Sequence, residues 1–125
     1  MEKLTELKGL THYEEDGNVY FNVHSQKLST IIGYALTLAE TPTDYLAAAH
    51  LLARAEVPLE GKMPKDLIFM DTDCDLIIQG LYKYADKASQ ADLIGAMWAI
   101  SADRIILDIN QALSEAGRLP IERAA

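Results

Sequence analysis

Asp71, Asp73 and Asp75 are the residues whose spacing comes nearest to metal chemistry. Carboxylates at alternate positions can converge on a hard cation, as the first ligands of a calcium loop do. The rest of such a loop is missing: Leu76 stands where the sharp turn needs glycine, and Tyr82 where the bidentate acid belongs. The trio reads better as helix-start chemistry, because Asp71, Thr72 and Asp73 can satisfy exposed amides and the helix dipole favours acids in a first turn. As metal ligands the three are weak candidates only, and no metal or cofactor is expected.

His12, His24, His50 and Cys74 are the remaining groups able to ligate zinc or act as a base or nucleophile. Their spacing matches no zinc motif, and in the hairpin register below His12 and His24 project to opposite faces. Acids flank Cys74 and raise its pKa while a helix start lowers it, but its place on an apolar helix face marks a structural thiol. Gly-x-Ser-x-Gly, a phosphate-binding glycine loop and His-Glu-x-x-His are all absent from the chain. No catalytic residue is therefore assigned. The enzymatic alternative is a site in the cleft between hairpin and helices that uses His24, Tyr20 or Asp73.

The elements that would position these groups fit one domain of 125 residues, long enough to bury a sizeable core. A formal net charge of -8, from 19 acids against 11 basic residues, repels phosphate backbones. Lys62 with Lys65, and Lys83 with Lys87, form no basic stripe, so direct binding to nucleic acid or an anionic membrane is not expected. Acid clusters at Glu14 to Asp16 and Asp71 to Asp75 leave mimicry of a nucleic acid as a further alternative. The apolar runs fall far short of the roughly 20 residues a bilayer requires. With a charged start unlike a signal peptide and a single cysteine, the chain is expected to be soluble and cytoplasmic.

The fold is expected to be mainly α, of the α+β class, with an N-terminal β-hairpin followed by four helices. Asp16-Gly17 is a hairpin turn, and the face bearing Leu10, His12, Glu14, Val19, Phe21 and Val23 should meet the core. The single domain divides into a hairpin region at 1–25, a helix pair at 26–56, a connector at 57–72 and two C-terminal helices at 73–117. The first helix should run from Gln26 to Glu40. Thr41-Pro42-Thr43-Asp44 starts the second, and a third ends near Ala88.

The last helix should run from a Ser89 cap to Ala116, with Gly117 and Pro120 beyond it. Ile94, Trp98, Ala102, Ile105, Ile106, Ile109, Ala112, Leu113 and Ala116 make a broad core face. Leu93, Ile100 and Leu107 lie off that face as a second seam at seven-residue spacing, with Met97 and Arg104 beside it. This seam is the expected interface, against a second copy in a homodimer or against a helix of another protein, unless the same chain folds over it. The functional expectation is a small acidic, non-catalytic protein acting through protein-protein interaction, such as an accessory factor or inhibitor encoded by a bacterium or phage.

Overall fold

The computed structural model describes residues 10–54 and 67–124. Among these the chain forms a three-stranded sheet and four helices, the last one the longest. The mainly α architecture with an N-terminal hairpin is the one the pattern implies.

Strands β1 (Leu10–Glu15) and β2 (Asn18–Val23) pair antiparallel, with Leu10 opposite Val23 and His12 opposite Phe21. Their connection holds Asp16 at φ 53° and Gly17 at φ 81°, the left-handed pair that matches the twist of a two-residue hairpin. This register sends Val19, Phe21 and Val23 into the core, while Tyr13 and Tyr20 stack on the other face with centroids 5.2 Å apart.

A third strand, β3 (Leu67–Met70), pairs antiparallel with β2, placing Tyr20 opposite Met70 and Val23 opposite Leu67. The sequence pattern assigns these residues to the connector, because four consecutive apolar residues show no period. In the sheet they alternate: Leu67 and Phe69 are buried, and Phe69 stacks on Phe21 at 5.0 Å.

Helix α1 (Gln26–Leu36) starts at Ser25, whose hydroxyl accepts the Leu28 amide at 3.4 Å. It stops four residues short of the expected Glu40. The Thr37 hydroxyl donates to the Tyr34 carbonyl at 2.6 Å, while the Thr37 and Leu38 amides tighten into three-residue bonds, so the helix closes there. Helix α2 (Pro42–Arg54) begins as expected, with the Thr41 hydroxyl accepting the Asp44 amide at 3.1 Å.

After a single 3-10 turn (Asp71–Asp73), α3 (Cys74–Ser89) lies against α4 (Leu93–Glu115). Ser89 is the last residue of α3 and not the cap of α4; that role falls to Asp92, which accepts the Gly95 amide at 2.7 Å. The final helix is thus 23 residues long, about 35 Å at 1.5 Å per residue. Its core face carries Ala102, Ile105, Ile109, Ala112 and Leu113 against Cys74, Ile77, Ile78 and Leu81 of α3. Two members of the expected face are corrected. Ile94 is 64% exposed, and Trp98 sits half-buried at the margin with Lys27 Nζ 5.8 Å above its ring. Burial along α4 begins only at Ala99, so the first turn overhangs the core.

Helix α1 crosses α3 where Gly80 removes a side chain, since a Cβ there would lie 2.6 Å from the Ala35 carbonyl oxygen. At the end of α4, the Gly117 and Arg118 amides bond back to Ser114 and Leu113 at 3.0 and 2.8 Å, which closes the helix and reverses the chain. Among the described residues no helix is long and apolar enough to cross a membrane.

Candidate functional site

The acidic trio is divided among separate tasks. Asp73 Oδ2 accepts the Met70 amide at 2.9 Å, reaching backward from the helix start instead of forward into α3. Asp71 accepts the Thr72 amide at 2.9 Å through Oδ1, while its Oδ2 accepts the Val19 amide and faces Arg118, both at 3.4 Å. Asp75 takes the Gln79 side-chain amide at 3.2 Å. Among the described residues no group of three or more His, Cys, Asp or Glu side chains is placed to hold a metal ion.

Cys74 is fully buried, and its Sγ donates to the Met70 carbonyl at 3.5 Å. Burial, reinforced by the charges of Asp71 and Asp73, pushes the thiol far above its ordinary range, so it stays protonated and is no nucleophile. His24 shares a 3.0 Å hydrogen bond with Thr11 on the outer sheet face, and His50 is exposed on α2. His12 lies 3.4 Å from Glu115 and lines a cavity of about 60 Å³ with Leu10, Phe21 and Asp108. His24, Tyr20 and Asp73, the groups named for an enzymatic cleft, do not line the cavity beside His12. A more open groove of about 410 Å³, between α3 and the α1–α2 connection with the start of α2, holds Thr37, Tyr45, Lys83 and Lys87. There Lys83 pairs with Glu40 at 3.3 Å, and the Thr37 hydroxyl is committed to its own helix.

The outer face of α4 is different in kind. Leu93, Met97, Ile100 and Leu107 are 79%, 61%, 69% and 64% exposed. At 100° per residue, Leu93 and Leu107 lie within about 20° of Ile100. Met97 and Arg104 flank this line on one side, and Ala96 and Asp103 on the other. Exposed leucines scattered singly carry no meaning, but these apolar side chains are aligned along one helix. Ile94, also exposed, lies about 120° round the helix from Ile100 and so off the stripe.

Periodicity does not reveal a second arrangement. Asn110 exchanges hydrogen bonds with the backbone of Ile121, donating to its carbonyl at 2.9 Å and accepting its amide at 2.8 Å. Gln79 donates to the Glu122 carbonyl at 2.8 Å and accepts the Ala124 amide at 2.9 Å. On a sequence, both side chains look like ordinary solvent-facing amides.

Comparison of the chain with family models, curated proteins and solved structures finds no match.

Proposed function

We propose that this chain is a non-catalytic, acidic cytoplasmic protein, of the kind bacteria and phages encode as accessory factors or inhibitors, and that it works as a homodimer built on α4. The observation that carries the reading is the exposed stripe Leu93, Met97, Ile100 and Leu107. Its fit to a second copy follows from symmetry: the stripe is centred on Ile100, with a leucine seven residues to either side. Two such helices running antiparallel set Leu93 of each against Leu107 of the other, and Ile100 against Ile100.

Helix dipoles favour the antiparallel sense, since each terminus then lies beside the opposite end of its partner. In that pairing Asp103 sits beside the small Ala96 and Arg104 beside Met97. The reducing compartment fits the lone buried thiol of Cys74.

Cysteine cross-linking tests the geometry. Chains carrying Leu93→Cys should link to chains carrying Leu107→Cys, and Ile100→Cys to itself. Self-linking of Leu93→Cys in place of the mixed product would mean a parallel pair, and absence of all three products would contradict the dimer.

A further inference from the structure

Residues 118–124 are seated by side chains and not by pairing with a strand or helix. Arg118 fixes the start, donating to the Gly17 carbonyl and facing Asp71. Asn110 then holds both backbone groups of Ile121, and Gln79 holds the Glu122 carbonyl and the Ala124 amide. Asp86 pairs with Arg123, whose guanidinium lies 5.3 Å over the Tyr82 ring, and Ile121 packs against the core at its edge.

Carboxamides that each give and take one backbone hydrogen bond read an extended peptide whatever its side chains; pockets beside them add the specificity. Here the specificity elements are an apolar seat for a branched residue and, two positions on, an acid with an aromatic ring for an arginine. Most of the occupant's own side chains face away from the groove. Leu119 is 87% exposed, and Pro120, Glu122, Arg123 and Ala124 also face solvent. The fully buried core ends at Leu113, so lifting the segment uncovers only the core edge on which Ile121 packs.

We propose that the groove between α3 and α4 is a binding site for an extended peptide of the form Ile-Glu-Arg, closed in cis by residues 119–124 and open in trans to the same segment of a second copy. The second copy is the occupant because every contact that seats the segment in cis is reproduced, atom for atom, by an identical chain. The Leu119-Pro120 step is the exposed hinge beyond the Arg118 anchor. In cis the segment competes at an effective concentration of roughly millimolar order, so trans entry needs the resident strap displaced. This proposal is independent of the α4 stripe.

The test uses the full chain and a fluorescent peptide spanning Arg118 to Ala124. Arg123→Glu sets a carboxylate against Asp86 and lifts the strap without touching the core; Ile121→Asp is a second lifting variant. Either chain should bind the peptide at least tenfold more tightly than the wild type, and adding Asn110→Ala should remove that gain. Equal binding by wild-type and both lifted chains, or none by either lifted chain, overturns the proposal. For the source, chains with Asp86→Cys and Arg123→Cys are mixed under mild oxidation, each also carrying Ile100→Asp so that α4 pairing plays no part. Excess of the mixed disulfide over both self-linked products, lost on Asn110→Ala, is expected; equal yields of the three overturn trans entry.

Discussion

Asp71 and Arg118, 47 residues apart, meet at 3.4 Å and tie the turn before α3 to the segment after α4. The same carboxylate accepts the Val19 amide, so one side chain, itself only 14% exposed, joins the hairpin, the helix start and the chain's return.

Asp71→Asn should therefore lower stability by about 1 kcal/mol, the scale of one hydrogen bond with a charged partner at the surface. Melting curves with calcium, magnesium or a chelator should superimpose. A melting point that rises with metal in the wild type, and not in the variant, would make the acidic trio a ligand set.

Gly80→Ala should destabilise the fold by roughly 1–3 kcal/mol, the usual cost of overpacking. The added methyl meets the Ala35 carbonyl oxygen at 2.6 Å, and backbone cannot yield as a flexible side chain does. Denaturant titration measures it; an unchanged midpoint would mean that α1 and α3 do not approach this closely.

Cys74 gives the stability a dependence on alkaline pH. Its folded pKa is raised by burial and by Asp71 and Asp73, so the folded chain keeps a proton that the unfolded chain loses. The contribution is fully present below the unfolded thiol's pKa of roughly 8.5 and declines as pH climbs from there toward the folded value. Between pH 7.5 and 9.5 the melting temperature should fall less for Cys74→Ala than for the wild type. Parallel declines would contradict a buried, protonated thiol.

Local chemistry explains which features the sequence makes legible. The hairpin register follows from Asp16-Gly17, because a two-residue turn leaves a single alternation that buries Val19, Phe21 and Val23. Strand β3 is illegible for the opposite reason: Leu67 to Met70 is uniformly apolar, and only pairing with β2 decides which pair turns inward. Ser89 and Asp92 are both good caps, so preference alone cannot choose between them. Gly95 holds the deciding signal, since a Cβ there would strike the Ala88 carbonyl oxygen at 2.1 Å where α3 turns into α4.

Along α4 the seven-residue spacing separates Leu93, Ile100 and Leu107 from the core face, and all three are exposed. Periodicity misplaces Ile94 and Trp98 because it assumes that the core extends beneath the whole helix. The strap escapes it altogether. Asn110 meets Ile121 across 11 positions and Gln79 meets Ala124 across 45, relations that no helical or strand period carries.

The central claim, association through the outer face of α4, is tested most directly by the mass in solution of the Ile100→Asp chain, measured by light scattering alongside circular dichroism. Ile100 is 69% exposed within one chain, so an aspartate there leaves the core untouched and places two charges face to face at the centre of the antiparallel pair. The wild type should have the mass of a dimer, and Ile100→Asp that of a monomer with the same helical signal. A monomeric wild type, a variant that remains dimeric, or a variant that unfolds would each contradict the account.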